Sequence, residues 1–240
     1  MLLSLVAVGL SRAKTRAWPA ECIGNVRQLM IAWTKHPSDN DDALVLNYRA
    51  RANTNDPPPL PWVQGDYHYD YDSVTNADFL TDPKLAAFAG AVPNPKIYRR
   101  PAVRHDIRGV PISRSFGLNQ YMGAGSQSDT VPGFATFTRL ADVANPANTF
   151  TFLELNPHTI CTSMARVPVD TNQATGFFHL PSFLHGGRAV IAFTDGHVDL
   201  YGVHDKDSLR DYPVDWIADH QFATTNADVL ALRELTTAPQ

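Results

Sequence analysis

The sequence has no apolar run approaching the ~20 residues that a helix needs to span a bilayer, which excludes a polytopic membrane protein. The longest candidate is Met1 to Leu10, and ten helical residues reach roughly 15 Å, about half of a ~30 Å hydrocarbon core. Cysteine is scarce: Cys22 and Cys161 are the only two, with no CxxC and no Cys/His zinc pattern. Their spacing leaves both one disulfide and none open. An excess of basic charge is also missing. With 24 acidic and 20 basic side chains the net charge is −4, and the basic residues are scattered, which argues against a nucleic-acid binder. There is no G-x-S-x-G, no glycine-rich phosphate loop and no repeat of fixed period. The start lacks the basic n-region and the small-x-small cleavage site of a secretory signal. What is present is 44% apolar and 18% charged residues over 240 positions, the balance of a folded chain with one domain, or one domain and an extension.

Hydrophobic spacing predicts a helix from residue 3 to about 35. Ile23, Val26, Met30 and Trp33 form one apolar stripe, widened by Leu29. Pro19 predicts a break or kink near Ala17-Trp18, and Pro37 with Ser38-Asp-Asn-Asp-Asp42 predicts the end. Beyond Ala43, short apolar runs alternate with turn residues, as in strands joined by long loops. Asn55 to Pro61 reads as extended, polyproline-like chain. Asp82-Pro83 predicts a short helix over Lys84 to Ala89. Strands are expected at Lys96–Arg100, Ser113–Leu118 and Thr149–Leu155, a helical turn at Thr138–Val143, and short helices at Pro213–Asp219 and Asp228–Leu235. Arg188–Thr194 and His197–Val203 flank Asp195-Gly196, which predicts a hairpin with a two-residue turn. In its first strand Val190 and Ala192 share one face, and Ile191 and Phe193 the other.

His185 stands ten residues before Asp195, followed by Gly196, an H-x9-DG pattern. The other elements fall in order along nearly the whole chain. They are Ser11-Arg-Ala-Lys14; Cys22-Ile-Gly-Asn25, Arg27-Gln-Leu29 and Ala32-Trp33; Asp39-Asn-Asp-Asp42; and Trp62-Val-Gln-Gly65, Thr75-Asn76 and Leu80. Lys96-Ile-Tyr98 with Pro101, Arg114-Ser115, Asn119-Gln-Tyr-Met-Gly123, Phe150 to Glu154 and Asn226-Ala-Asp228 complete the set. This set resembles the bacterial prepilin-like proteins, relatives of type IV pilins and type II secretion pseudopilins.

The resemblance implies an α+β, pilin-like fold, with an N-terminal α-helix packed on an antiparallel β-sheet with long loops. Residues 1–36 would be the helix, part membrane anchor and part filament spine, and residues 37–240 the head with the H-x9-DG hairpin. It implies a structural subunit of a type II secretion or type IV pilus-like assembly and no catalysis, so neither a catalytic residue nor a cofactor or metal is assigned. His185, Asp195 and Gly196 are then structural motif residues. The implied partners are other pilin-like subunits, the inner membrane through the full-length helix, and the prepilin peptidase on the precursor; nucleic acid is not among them. The head would be periplasmic or extracellular. Two departures stand out. The leader and cleavage motif are absent, so the chain as given is not expected to insert stably in a membrane or to be processed. Arg100 occupies the position of the family's cysteine before proline, which leaves Cys22 single or paired with Cys161.

Other chemistry competes with blander roles for the same residues. His185 and Asp195, with His179, His197, Asp199, His204 and Asp205, are residue types that make hydrolytic metal sites. Packing and turn roles are favoured, with His185 bonded to backbone and Asp195-Gly196 making the hairpin. Asp39 to Asp42 offers oxygen ligands for calcium, but it lacks the loop pattern of calcium sites and reads as a helix-ending turn. Tyr67 to Tyr71 offers stacking surfaces for a glycan, though period-two aromatics suit a cross-strand face. The alternative functions are therefore a soluble extracytoplasmic binding module for glycan or peptide and, less favoured, a metal-dependent hydrolase.

Overall fold

The computed structural model describes residues 2–47, 59–65, 71–101, 106–107, 109–123, 131–170, 179–209 and 225–239, with side chains in the first helix described from Trp18 onward. Most of the 55–61 segment, the 67–70 aromatics and the whole 213–219 segment lie outside these residues. The fold is α+β. Helix α1 runs over Leu2–Asp39. It is followed by α2 (Asp78–Thr81), β1 (Asp106–Ile107), β2 (Val110–Pro111), β3 (Phe116–Asn119), β4 (Phe150–Glu154), β5 (Met164–Ala165), β6 (Arg188–Phe193), β7 (Val198–Gly202) and α3 (Ala227–Thr236). β1 and β2 form a small hairpin, and the other strands form one sheet in the order β5-β3-β4-β6-β7. Neighbours are antiparallel except β3 and β5, so the sheet is mixed rather than wholly antiparallel as expected.

The expected apolar stripe docks α1 on this sheet. Cys22, Val26, Leu29, Met30 and Trp33 are buried against a core that includes Phe116, Leu118, Phe152, Val190 and Ala192. Trp62 sits within the same layer, its ring 5.1 Å from that of Phe152. A second core covers the opposite face, where Leu153, Leu155, Ala189, Ile191 and Phe193 meet Val229 and Leu232 of α3. The central strands are thus buried on both faces, and the alternation read in β6 holds. In β4 it breaks. Phe150 and Phe152 are two residues apart yet belong to opposite cores, because the β4–β6 register shifts between Phe150 and Leu153. A bulge adds one residue and turns the strand by one side-chain position.

Three local expectations fail for identifiable reasons. α1 passes through both Pro19 and Pro37 without a break. Proline removes one helical hydrogen bond, but the stripe from Cys22 onward is locked onto the sheet and holds the helical path. Lys84 to Ala89 forms turns, not a helix. There the Asp82 carboxylate accepts the Lys84 N–H, and the Ala87 N–H leaves the segment for Pro61 O at 2.8 Å. Pro95–Tyr98 is a 3-10 helix instead of a strand, with the Asn94 side chain accepting the Lys96 N–H and Pro95 fixing the first turn.

The H-x9-DG hairpin forms with a longer turn than expected. Ala192 pairs with Val198. The Phe193 N–H reaches His197 O and the Gly196 N–H reaches Phe193 O, both at 2.9 Å. That leaves Thr194, Asp195 and Gly196 as a three-residue loop, with Gly196 at φ +96°. A type I turn closed by a left-handed residue is the usual solution at this length.

A candidate functional site in the buried polar cluster

Several of the residues behind the family resemblance are buried polar groups that tie distant segments. Asn25 of α1 donates to Lys96 O at 3.4 Å and Arg99 O at 3.3 Å. Arg114 is fully buried and donates to Gln64 O at 3.0 Å and Gly65 O at 3.1 Å, holding the Trp62-to-Gly65 segment against β3. Gly65 itself lies at φ +111° with Ser73 O packed where a Cβ would stand. Asn119 donates to Phe150 O and to Thr236 O, both at 2.8 Å, joining β3 to β4 and to α3. Asp228 accepts from the Tyr201 hydroxyl at 3.0 Å and from the His204 and Asp205 N–H groups at 2.8 and 3.0 Å.

Glu154, His185, Cys22 and Arg100 converge at one point. Glu154, at the end of β4, faces α1 and is fully buried. Its Oε2 accepts the Val190 N–H at 3.1 Å and lies 3.0 Å from His185 Nε2. Its Oε1 lies 3.7 Å from Arg100 Nε. Cys22 brings Sγ from α1, so that Sγ, a Glu154 oxygen and a His185 ring nitrogen all lie within 4.8 Å of one another. His185 is placed by the turn leading into β6, where Gly186 and Gly187 take φ +66° and +81° and the His185 N–H bonds Arg188 O. Arg100 is held by its own N–H on Ser115 Oγ and by Nη2 reaching Leu184 O at 3.5 Å. Burial, then the nearby Glu154 carboxylate, pushes the Cys22 thiol pKa up against the opposing charge of Arg100, so the sulfur stays a neutral thiol at ordinary pH.

This changes the role read for His185. Its ring meets a buried carboxylate rather than backbone. Asp195 is elsewhere, because the six-residue β6 separates the two by roughly 17 Å or more. Asp195 Oδ1 accepts the His197 N–H at 3.0 Å and meets the His197 ring at 2.6 Å, while that ring stacks on Phe193. Burial pushes the Asp195 carboxyl up, but the hydrogen bonds and charge of His197 together outweigh it, so its pKa falls below the usual range. Asp205 bonds the Ala227 N–H at the start of α3. The His/Asp group weighed as a hydrolytic site is therefore dispersed. Asp42 gives its carboxylate to Arg139 and to the Ala141 N–H, as suits a turn residue.

Neither cysteine is in a disulfide. Cys22 belongs to the core on the α1 face and Cys161 to the core on the other face, so the sheet separates them. Cys161 instead meets His179, with Sγ 2.9 Å from Nε2 and both residues fully buried. The Arg166 N–H donates to His179 Nδ1, which places the ring proton on Nε2, facing the sulfur. In that tautomer the ring donates to the thiol and cannot accept its proton, so the pair is not poised as nucleophile and base.

Sequence reasoning missed Glu154 as the partner of His185, the joining of both to Cys22, and the Cys161–His179 pair. The available signals were a carboxylate ending a strand of buried residues and an arginine where the resembled family has cysteine. No family model, curated protein or solved structure matches the chain. Among the described residues, no helix is long and apolar enough to cross a membrane.

Proposed function

We propose that the chain is a pilin-like structural subunit, a pseudopilin of a type II secretion or type IV pilus-like assembly. In this reading α1 serves as inner-membrane anchor and filament spine, and the head is extracytoplasmic. Its partners are other pilin-like subunits, and the prepilin peptidase acts on the full-length precursor. The observation that supports it best is the division of labour along α1. From Cys22 to Trp33 the helix docks by one stripe on the sheet. The sequence before it, from Leu2 to Leu10, is apolar except for Ser4 and Gly9 and is followed by Arg12, Lys14 and Arg16. Such a segment buries its apolar surface in a membrane or among other helices. The buried polar ties support the same reading, because they serve to hold a head together.

The test is to shear surface-associated filaments from native cells and probe them with an antibody to the head. The chain is expected in the filament or envelope fraction. Recovery only as a soluble extracytoplasmic monomer would contradict the proposal and turn attention to binding of glycans or peptides.

A further inference from the structure

We propose that Cys22 Sγ, Glu154 Oε2 and His185 Nε2 form a three-donor site for a divalent transition ion of the zinc class. The site would clamp α1 to the sheet, and it stands independently of whether the chain is a filament subunit.

Three observations carry this. The donors are one sulfur, one carboxylate oxygen and one imidazole nitrogen, all within 4.8 Å of one another. This set suits zinc, whereas magnesium and calcium prefer all-oxygen sites. Second, the site is polar but poorly satisfied. Glu154 Oε1, His185 Nε2 and Arg100 Nε are buried without a hydrogen bond. Nε2 and Oε2 approach to 3.0 Å without a hydrogen bond between them. Bonds of about 2.0 to 2.3 Å to a tetrahedral ion put its donor atoms about 3.3 to 3.7 Å apart. Side-chain rotation closes the remaining distance. Third, the carboxylate is already divided between its two oxygens. Arg100 stands 3.7 Å from Oε1, which leaves the other oxygen turned toward His185.

Arg100 shares the Glu154 carboxylate with the ion, and binding through sulfur releases the Cys22 proton to solvent as the sulfur–metal bond forms. The three donors come from α1, the end of β4 and the turn before β6, so no short sequence spacing marks them.

The experiment is elemental analysis of the full chain purified without chelator from zinc-supplemented medium, followed by cobalt(II) titration of the metal-stripped protein. About one zinc per chain is expected, with a sulfur-to-cobalt charge-transfer band. Cys22→Ser, which keeps size and leaves the Glu154, Arg100 and His185 contacts in place, should abolish the band and reduce zinc to below about a fifth of an equivalent. His185→Gln should do the same, and Cys161→Ser should change neither. Chelation should lower the thermal midpoint of the parent chain but not that of Cys22→Ser. Substoichiometric zinc in the parent overturns the proposal, and so does binding that survives Cys22→Ser, which would mark an ion held elsewhere, such as at the exposed Asp195–His197 pair.

Discussion

The ion pair of Arg100 and Glu154 offers the sharpest test of how the head is held together. Both side chains are almost fully buried, at 7% and 0% exposure. Replacing Glu154 by Met strands the guanidinium in the core and removes the acceptor of the Val190 N–H. Breaking a buried pair from one side costs about 3–5 kcal/mol. The 3.7 Å separation lies outside hydrogen-bond reach, so the low end applies, about 3 kcal/mol. For a chain of this size that lowers the thermal midpoint by about 6–12 °C. Arg100→Met should cost a similar amount by leaving the carboxylate uncompensated. The double variant, with two apolar side chains filling the space, should cost at least ~2 kcal/mol less than the sum of the singles. The assay is urea unfolding of all four proteins in the presence of chelator, so that metal plays no part. Strictly additive losses, or a Glu154→Met loss under about 1 kcal/mol, would refute the reasoning.

Other positions give independent checks. Gly123 lies at φ +59° with Val45 O packed where a Cβ would be, so Gly123→Ala should destabilise by about 3 kcal/mol or more in the same unfolding assay. Burial raises the pKa of Tyr98; for Tyr201 burial and then Asp228 do so; for Tyr121 burial outweighs the opposing Val131 N–H. Because the folded values are raised, stability is intact below the unfolded tyrosine value of 10.0 and is lost as pH climbs beyond it. Each buried hydroxyl should contribute a loss of about 1.4 kcal/mol per pH unit there. Alkaline titration of tyrosinate absorbance should therefore show a cooperative step coincident with unfolding, whereas smooth titration near the ordinary value would contradict the burial argument.

Elements set by local patterning are legible in the sequence alone. The stripe from Val26 to Trp33 and the two faces of β6 follow from side-chain periodicity, and strand β4 and helix α3 form where their apolar runs placed them. Where the sequence misleads, a tertiary partner intervenes. Asp82 and Pro61 draw the backbone of 84–89 out of a helix, and the bulge in β4 moves Phe150 to the other core. The cluster around Glu154 is hidden for the same reason. Arg100, His185 and Cys22 lie 54, 31 and 132 positions from Glu154, so no short spacing links the four. Only the folded sheet, with α1 laid across it, brings them together.

The most direct test of the proposed function is cysteine cross-linking between copies in native cells. A single cysteine is placed at Val8, in the apolar start of α1, and the cells are treated with a mild oxidant. The native Cys22 and Cys161 are both fully buried and should stay silent in the parent chain. A filament subunit should give a ladder of dimers and higher species for Val8→Cys that disappears under reductant. A chain that remains monomeric under these conditions, while present at normal abundance, would contradict the proposed role.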